Sequence, residues 1–475
     1  MIDSAILDRF AALLGPKGFV TDVDAIAPWV SDWRGRYHGT APALLAPASA
    51  AEAAAAVALA ASTRIPLVPQ GGNTSMVGGA TPPADGSALI LSLRRMNRIR
   101  SLSAEDNLAV VEAGVILSDL HDAAAAAGRR FPLSLGAKGS ATIGGLVSTN
   151  AGGTQVLRFG TMRALVAGVE AVLPDGTLFD GLSALRKDNR GYDLTQLLIG
   201  AEGTLGVVTA AALRLVPAAT DRAVAWVGLD TPHAALALLR RLEAALPGGI
   251  ESFELIPADS LDRVLRHIPG TRAPLAGAHR WHALIELVGD DARARMEAAL
   301  AAALAAGLGA DAAVALNQAQ EEAFWRLRHS ISEAERASGP AAQHDISVPV
   351  AAMPDFLLAA ATTIEAEFPG TDASGFGHLG DGNVHFHVRA PAGAPADWAN
   401  GAGKAASARV HDLVTAAGGS ISAEHGIGQM KLDELERLAD PARLATLRAI
   451  KQALDPRGIM NPGKLVRLAS EPPRP

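Results

Sequence analysis

The residues best suited to chemistry are concentrated late in the chain. The run GHLGDGNVHFH contains His378, His385 and His387, and the later run SAEHGIG contains Glu424 and His425. Because side chains of a strand alternate between its two faces, His385 and His387 are expected on the same face. Two imidazoles and one carboxylate, with open positions left for a substrate, form the ligand set of a catalytic divalent metal of the zinc type.

Other interpretations of these histidines are open at this point. Each histidine taken alone is more simply explained as a hydrogen-bonded core or surface residue. A metal hydrolase could use the same ligands, although the HExxH motif of one large class of such enzymes is absent from the sequence. Taken together, these residues favour a metal site. Which reaction that site would serve depends on the other motifs of the chain.

Glycine is the second informative residue type. The 48 glycines cluster at 71–79, 136–153, 200–206 and 375–382. Glycine is retained where the backbone needs a positive φ or must approach a ligand closely. The first cluster follows a predicted strand and would direct several N–H groups at one point, as a pyrophosphate requires. This first loop contains neither GxGxxG nor GK[ST], so the common dinucleotide and P-loop patterns fail there. The first three clusters suit one large, two-headed cofactor.

The composition excludes several classes of function. The chain has 475 residues, 49% hydrophobic and 19% charged, which allows two or three domains with a sizeable core. Its 42 basic and 49 acidic residues give a net charge of −7, so nucleic acid and anionic lipid are excluded as primary partners. There is no cysteine, which excludes disulfides, thiolate metal sites, iron–sulfur clusters and cysteine nucleophiles. We expect a cytoplasmic protein.

The first residues do not have the pattern of a signal peptide. Asp3 and Asp8 stand where a signal peptide has positive charge followed by an unbroken apolar run, and an amphipathic helix is expected instead. The longest charge-free runs, 65–84 and 139–157, are interrupted by glycine and polar residues. No membrane span is predicted, because such runs cannot satisfy their backbone groups in lipid.

Hydrophobic patterning predicts alternating helices and strands, which become longer and more regular after about residue 218. Before it, we predict helices at 49–62 and 118–127 and strands at 66–69, 88–93, 108–113, 164–173, 177–179 and 207–216. After it, we predict strands at 223–229, 250–256, 281–288 and 312–316 and helices at 231–245, 258–267, 291–307 and 318–337. This alternation of strands and helices predicts an α+β sheet with its helices on one face.

Residues 66–216 resemble the FAD-binding domain of the vanillyl-alcohol-oxidase type of flavoproteins. The run LRKDNRGYDLTQLLIGAEGTLGVVT at 185–209 is similar to the D-2-hydroxyglutarate and D-lactate dehydrogenase branch, and the similarity continues through GFGHLGDGNVHFHV, ISAEHGIG and NPGKL. The resemblance implies an α+β architecture. An FAD-binding domain of two α+β subdomains would span 1–217, a substrate-binding cap domain with an antiparallel sheet and the metal site 218–455, and a segment returning to the FAD domain 456–475.

The resemblance also implies where FAD binds. The first two glycine loops would hold the pyrophosphate and the isoalloxazine, and Gly203–Val208 would lie against the adenosine part. Several relatives carry a histidine in the first loop that is linked covalently to the flavin. Here that loop has Asn73 and Thr74 and no histidine, so FAD is expected to bind non-covalently. The expected FAD-binding residues are Gln70, Gly71, Gly72, Asn73, Thr74, Ser75, Met76, Pro132, Leu135, Gly136, Gly139, Ser140, Thr142, Ile143, Gly144, Gly145, Asn150, Gly152, Gly153, Glu202, Gly203, Gly206, Val207, Val208 and Asn461.

The resemblance assigns roles to the late histidines. It implies His378, His385 and Glu424 as ligands of a divalent metal, for which the donor set indicates Zn²⁺, and His425 as the acid–base residue. A 2-hydroxy acid would bind the metal through its carboxylate and hydroxyl oxygens, and the cation would lower the pKa of the hydroxyl. His425 would accept the hydroxyl proton while the hydride passes to the flavin.

Substrate recognition is expected from a helix and a nearby segment. Arg328 and Ser332 lie four residues apart on a predicted helix, on one face, where an arginine and a hydroxyl can bind a carboxylate. In hydroxyglutarate dehydrogenases the matching arginine and threonine hold the distal carboxylate, joined by a lysine that is Gln343 here. The family also often has asparagine where this chain has His387. Both departures concern the substrate end of the pocket.

The sequence therefore predicts an FAD-dependent dehydrogenase that oxidises a D-2-hydroxy acid, with D-2-hydroxyglutarate as the leading substrate. D-lactate, D-malate or a broad range of D-2-hydroxy acids is the alternative, and a non-catalytic flavoprotein subunit of a larger complex is a remote one. The electron acceptor would be an electron-transfer flavoprotein or a quinone-linked carrier, because no cysteine is present for an iron–sulfur relay. A homodimer is possible.

Overall fold

The computed structural model describes residues 2–183, 185 and 187–468. Residue 186 of the 185–209 motif and residues 469–475 of the expected C-terminal segment lie outside the described residues. The described strands are β1 (Phe19–Val20), β2 (Leu44–Leu45), β3 (Leu67–Gln70), β4 (Leu89–Ser92), β5 (Ile99–Ser103), β6 (Leu108–Glu112), β7 (Arg129–Arg130), β8 (Val166–Val172), β9 (Leu178–Asp180), β10 (Val207–Arg214), β11 (Val216–Pro217), β12 (Arg222–Leu229), β13 (Ile250–Pro257), β14 (Trp281–Val288), β15 (Asp311–Val314), β16 (Ala341–Ser347), β17 (Asp372–His378) and β18 (Asn383–Arg389).

The α-helices alternate with these strands. They are α1 (Ser4–Gly18), α2 (Val23–Ile26), α3 (Ala50–Thr63), α4 (Leu117–Ala126), α5 (Ile143–Thr149), α6 (Val156–Phe159), α7 (Met162–Leu165), α8 (Leu194–Leu198), α9 (Pro232–Ala245), α10 (Ala258–His267), α11 (Ala292–Ala305), α12 (Gln318–His329), α13 (Ile331–Ala337), α14 (Met353–Glu367), α15 (Gly403–Ala416), α16 (Leu432–Leu438) and α17 (Pro441–Leu454). Short 3₁₀ turns cover Ala27–Trp29, Val350–Ala352 and Trp398–Asn400. No described helix is long and apolar enough to cross a bilayer.

The chain divides into two compact units. The first contains Met1–Gly153, Gly160–Ala218 and Glu424–Pro475, and the second contains Thr154–Phe159 and Ala219–Ala423. The chain thus re-enters the first unit at Glu424, earlier than the 456 expected from the sequence. The mixed helices and antiparallel sheets of both units confirm the expected α+β class.

The first unit contains two main sheets, each with its own pairing. The sheet β1-β2-β4-β3 has parallel pairs between β2, β4 and β3, and the sheet β5-β6-β10-β8-β9 is antiparallel. The alanine-rich helix α3 packs under the first sheet through Ala53, Val57 and Ala60. It begins where the Ser49 hydroxyl accepts the N–H of Glu52, which satisfies one of the unpaired donors at a helix start.

The second unit is built on one antiparallel sheet of seven strands, in the order β15-β12-β14-β13-β17-β18-β16. Strands β13 and β14 pair over nearly their whole length, whereas β13 and β17 share only two residue pairs, Glu254 with His378 and Leu255 with Gly377. The strands β12, β13 and β14 are buried on both sides, as their dense valine, leucine and isoleucine content requires.

Helices cover both faces of this sheet, so the predicted one-sided arrangement is wrong. Leu238, Leu300, Phe356 and Val410, from α9, α11, α14 and α15, pack with one strand face. The opposite strand face packs with α10, α12 and α13. Its contacting residues are Val224, Trp226, Ile256, Leu284 and Phe376 on the strands and Leu261, Val264, Leu327, Ile331 and Ala334 on the helices. Strands that are apolar on both faces must be covered on both sides, which requires a second layer of helices. The order of the elements along the chain does not show on which face each helix packs.

The helix expected over 318–337 is two helices. Helix α12 ends at His329 and α13 begins at Ile331, with Ser330 at the junction. Arg328 is buried, whereas Ser332 is exposed, because the buried side of α13 is formed by Ile331, Ala334 and Glu335. The expectation that Arg328 and Ser332 share one face of a continuous helix is therefore wrong.

Candidate active site

Three neighbouring strands of the second unit bring polar side chains to one face. In the antiparallel register, Asp345 of β16 and Phe376 of β17 both pair with His385 of β18. Gln343 pairs with His387 two residues further along, so its side chain lies on the same face. The rings of both histidines contact the Phe376 ring, at centroid distances of 5.1 and 5.3 Å. The structure confirms that His385 and His387 share a face.

The two predicted metal-binding histidines of this unit lie side by side. The ring centroids of His378 and His385 are 5.7 Å apart. The Nδ1 atom of His378 is 3.0 Å from a carboxylate oxygen of Glu254, and Nδ1 of His385 is 3.9 Å from Asp345. A carboxylate that faces Nδ1 favours the tautomer with its proton there and its lone pair on Nε2, which is the usual arrangement of metal-binding histidine.

The Glu254 carboxylate is fully buried between two partners. Its Oε2 accepts a hydrogen bond from Nε of Arg328 at 2.6 Å, and its Oε1 faces His378. Burial alone would raise the pKa of Glu254, but the charge of Arg328, together with the interactions with Arg328 and His378, outweighs burial and holds its pKa far below the ordinary range. The Arg328 guanidinium also stacks over the Phe376 ring at 5.0 Å.

Asp345 is held from two directions. The Asn383 amide donates hydrogen bonds to Asp345 Oδ1 at 2.9 Å and to the Ile346 carbonyl at 3.0 Å. The backbone N–H of Ala423 donates to the Asp345 carbonyl at 3.3 Å. These contacts fix both the side chain and the backbone of Asp345.

His378 and His385 belong to the second unit, whereas Glu424 and His425 begin the last segment of the first unit. The resemblance implies Glu424 as the third metal ligand beside the two histidines. Imidazole and carboxylate donors together suit zinc and similar divalent ions.

The remaining substrate residues of the second unit have distinct environments. Gln343 is half-buried beside His387, which is buried, and Nδ1 of His387 lies 3.6 Å from Glu335. Burial would raise the pKa of Glu335, but hydrogen bonding to His387 and Arg389 lowers it to about 2. Arg389 donates two hydrogen bonds to Glu335, at 2.8 and 2.6 Å. Ser332 stays exposed, away from this buried group.

The glycine loops of the first unit approach one another through backbone. A Cβ atom built on Gly71 would overlap the Thr142 hydroxyl, and one built on Gly72 would overlap the Ser140 carbonyl. Only glycine fits at these two positions. The second cluster was expected to be a loop, but part of it forms helix α5. The residue that follows this helix, Asn150, has a left-handed backbone conformation.

Three polar atoms of predicted FAD-binding residues are buried without a hydrogen-bond partner among the described residues. They are Oε1 of Gln70, Oγ1 of Thr142 and Oδ1 of Asn461, from three separate segments of the first unit. Buried polar atoms without partners are rare in folded proteins, and a polar ligand is a common reason for them. Together with the backbone-lined loops, these atoms fit a large polar cofactor such as FAD.

The other predicted FAD-binding residues lie along the same segments. Exposed or half-buried positions, open to a ligand, are Asn73, Thr74, Ser75, Met76, Leu135, Gly136, Gly139 and Gly145. Buried positions that support the loops are Pro132, Ile143, Gly144, Gly152, Gly153, Gly203, Gly206, Val207 and Val208. The side chain of Asn73 donates to the carbonyls of Pro28 and Ser31, so it fixes the first loop from behind.

Glu202 connects several of these segments within the first unit. Its carboxylate accepts the backbone N–H groups of Ile427 and Gly428, each at 2.7 Å, just after the Glu424–His425 pair. Its own carbonyl accepts from the Asn461 amide at 2.7 Å. A Cβ on Gly426 would meet the Glu202 carboxylate, so this loop closes tightly on the glutamate. His425 is half-buried in the loop held in this way.

The sequence did not single out Glu254 and Asp345. A possible signal for Glu254 was its charge inside β13, a strand in which every residue is buried. For Asp345 the signal was weaker, because the polar run AAQHDIS does not have a strand pattern. Both carboxylates lie beside the predicted metal-binding histidines, and such neighbours are set by strand register rather than by a local motif.

Comparison with known proteins tests the expected fold. A model of the FAD binding domain matches residues 41–181, and a model of the C-terminal domain of FAD linked oxidases matches residues 218–465. The solved structure of p-cresol methylhydroxylase with substrate bound has a TM-score of 0.74 at 16% identity, and the match covers 99% of this chain and 98% of that one. The fold is therefore the vanillyl-alcohol-oxidase type.

Two relatives show closer similarity in sequence. A mitochondrial D-2-hydroxyglutarate dehydrogenase of Arabidopsis thaliana is 36% identical over 98% of this chain and 82% of its own length. A D-2-hydroxyglutarate dehydrogenase of Xanthomonas citri pv. viticola is 37% identical over 93% of this chain and 92% of its own length. The expected cytoplasmic location is contradicted, because the Arabidopsis protein and several other relatives of this group are named as mitochondrial.

Both domain models and the near-complete alignments lead to the same assignment. The two domain models together span most of the chain, and the two relatives align over 98% and 93% of it at 36% and 37% identity. The chain is an FAD-dependent oxidoreductase and belongs to the D-2-hydroxyglutarate dehydrogenase family of FAD linked oxidases.

Proposed function

We propose that this protein oxidises a D-2-hydroxy acid to the 2-keto acid, with D-2-hydroxyglutarate as its leading substrate and a divalent metal, most simply Zn²⁺, in its active site. The observation that carries this proposal is the pair His378 and His385, each faced by a carboxylate at Nδ1, in a chain with FAD oxidase domains. Metal-binding histidines characteristically have such partners.

FAD would be held without a covalent bond by the glycine loops of the first unit. The backbone at Gly71 and Gly72 and the unpartnered polar atoms of Gln70, Thr142 and Asn461 support this assignment. Bound FAD would supply the hydride acceptor. The residues at Gly203–Val208 would lie against the adenosine part, and their close backbone packing is compatible with that role.

The metal would be held by His378, His385 and Glu424. Bound metal would supply Lewis-acid polarisation of the substrate hydroxyl and a fixed point for the substrate carboxylate. The chain's own contribution is to hold the rings of His378 and His385 side by side and to orient His378 through Glu254.

His425 would act as the general base. In its neutral form it would accept the proton from the substrate hydroxyl oxygen while the Cα hydride leaves. Histidine suits this step because its ordinary pKa lies near physiological pH. The bonds from Ile427 and Gly428 to Glu202 fix the loop two residues beyond His425, which supports a defined position for its ring.

Arg328, Gln343 and His387 would recognise the distal part of the substrate. Glu254 fixes Arg328 through Nε alone, and among the described residues no hydrogen bond involves its Nη1 or Nη2. Two parallel guanidinium N–H groups are the geometry that binds a carboxylate in two places. Gln343 can donate a hydrogen bond but brings no charge. Ser332, which is exposed, is not part of this proposed clamp.

Other assignments have less support. D-lactate, D-malate or a broad set of D-2-hydroxy acids would be preferred if Arg328 does not bind a distal carboxylate. A non-catalytic flavoprotein subunit would have no use for an intact donor set, and a hydrolase would have none for FAD-binding domains. An electron-transfer flavoprotein or a quinone-linked carrier is our proposed acceptor, and a homodimer is the proposed assembly.

Anaerobic reduction of the purified protein tests the proposal directly. The yellow flavin absorbance should bleach on addition of D-2-hydroxyglutarate and should bleach more slowly with D-lactate. Prior treatment with a chelator should prevent bleaching while the flavin stays bound, and Zn²⁺ or Mn²⁺ should restore it. A protein that binds no flavin, or one that turns over equally well after complete metal removal, would contradict the proposal.

A further inference from the structure

We infer that Glu254 is a positioning residue that couples the metal site to the substrate clamp, so that one buried carboxylate sets both the metal affinity and the preference for a dicarboxylic substrate. This inference rests on the proposed function and deepens it. Glu254 touches neither the substrate nor the metal in this assignment, because it acts through Arg328 and His378.

The two oxygens of Glu254 have different partners. Oε2 accepts from Arg328 Nε at 2.6 Å, and Oε1 lies 3.0 Å from Nδ1 of His378. Glu254 and His378 are also paired directly across β13 and β17. The carboxylate therefore stands between an arginine on α12 and a histidine on β17, and no lateral shift of Glu254 can improve one contact without affecting the other.

Burial makes these contacts hard to replace. The Glu254 side chain is 0% exposed, and those of Arg328 and His378 are 9% exposed. Water cannot substitute for a lost partner at such positions, so a neutral replacement leaves a buried guanidinium without its counter-charge. Arg328 has no other hydrogen bond among the described residues, which leaves Glu254 to fix the direction of its two terminal nitrogens.

The coupling has a direct consequence for selectivity. A carboxylate at Nδ1 of His378 raises the basicity of Nε2 and fixes the ring plane, both of which strengthen metal binding. The same carboxylate holds the Arg328 fork toward the proposed distal carboxylate. Loss of Glu254 should thus weaken metal binding for every substrate and, in addition, reduce activity with D-2-hydroxyglutarate more than with D-lactate, which has no distal carboxylate.

The chain offers a matched control on the same strand. Glu251 is also buried in β13, but its carboxylate pairs with Gln155 and Arg158. The variants Glu254→Gln and Glu251→Gln therefore make the same chemical change in the same strand. Only the first removes the charge that faces the metal-binding histidine and the clamp arginine.

The experiment measures metal binding separately from turnover. Flavin-loaded protein is stripped of metal and titrated with Mn²⁺ in a calorimeter, and kcat/KM is then measured for both acids at saturating Mn²⁺. We expect Glu254→Gln to weaken Mn²⁺ binding by about 10–100-fold. With metal saturating, the ratio of kcat/KM for D-2-hydroxyglutarate over D-lactate should fall, while Glu251→Gln changes neither quantity.

The variant Glu254→Asp keeps the negative charge. It provides the test of the inference if Glu254→Gln does not fold. The shorter side chain cannot span both partners, so Mn²⁺ binding should be intermediate. Wild-type Mn²⁺ affinity and an unchanged substrate ratio in either folded variant would overturn the inference while leaving the proposed function intact. Failure of the wild-type protein to bind Mn²⁺ or Zn²⁺ would instead refute the metal site itself.

Discussion

Glu202 in the first compact unit and Glu254 in the second are both buried, but their carboxylates have different partners. Glu202 accepts two backbone N–H groups, from Ile427 and Gly428. Glu254 meets the side chains of Arg328 and His378. Burial raises the pKa of Glu202, because two N–H dipoles and the charge of Lys431 oppose it only in part. For Glu254 the nearby positive charges prevail, and its pKa is lowered.

The difference shows how each unit positions its functional groups. Partial charges of the main chain hold the loops of the first unit, and they do not depend on the identity of the donating residues. Full side-chain charges hold the site of the second unit, so each substitution there changes both geometry and electrostatics. We therefore expect variants of the second unit to change chemistry while the flavin stays bound.

Removal of a metal ligand should have the largest effect. His378→Ala and Glu424→Ala should each abolish turnover, because two remaining donors cannot hold a catalytic ion. The flavin absorbance spectrum should remain in both variants, since neither His378 nor Glu424 is among the proposed FAD-binding residues. His233→Ala, at an exposed histidine paired with Asp355, is the control and should be fully active. Near-normal turnover of either ligand variant in metal-free buffer would show that the ligands are wrong.

Loss of the base should have the next largest effect. His425→Ala should reduce kcat by about 10²–10⁴-fold, the usual contribution of a general base, with a smaller change in KM. The variant should also lose the acidic limb of the pH–rate profile, because that limb reports the protonation of the base. If the profile of the variant matches that of the wild type, the proton goes to another group.

A third prediction concerns stability and compares the exposed and buried acids of α13. The pKa of Glu335 is about 2 in the folded protein against 4.5 for the free side chain, so its contribution is fully present above pH 4.5 and is lost as the pH falls toward 2. Glu335→Gln should lower the free energy of unfolding by about 3 kcal/mol at pH 6 and by much less at pH 3.

Urea unfolding at both pH values measures this difference. Glu333→Gln provides the control, because Glu333 is exposed on the same helix and should change stability little at either pH. A deficit for Glu335→Gln that stays constant between pH 6 and pH 3 would mean that packing, rather than charge, accounts for the loss.

The smallest effects concern the clamp. Arg328→Ala should lower kcat/KM for D-2-hydroxyglutarate by roughly 10–100-fold and for D-lactate much less, since a hydrogen bond to a charged group contributes about 1.5–3 kcal/mol. Arg326→Ala is the control, because Arg326 donates to the Pro269 carbonyl at the surface. Gln343→Lys should raise the preference for D-2-hydroxyglutarate by a few-fold. Equal losses for both acids would place the distal carboxylate elsewhere.

Sequence patterns predicted much of this molecule because they are local. The strand at Trp281–Val288 and the helix at Ala258–His267 have the predicted bounds, and the family resemblance and α+β class are confirmed. The sequence could not predict side-chain contacts between residues that are far apart in the chain. Glu254 and Arg328 are 74 positions apart, and strand β16, which carries Gln343, has no clear alternation of polar and apolar residues. The second helical layer was missed for the same reason.

The Phe376 ring, which touches the rings of His385 and His387 and lies under the Arg328 guanidinium, acts as a rigid spacer for three polar groups. Side chains that pack against different neighbours can shift independently of one another. Here all three side chains pack against the same buried ring, so a change in the size or tilt of that ring would displace all three together. The positions of the proposed metal ligand His385, of His387 and of the proposed clamp arginine Arg328 are therefore linked through one aromatic ring.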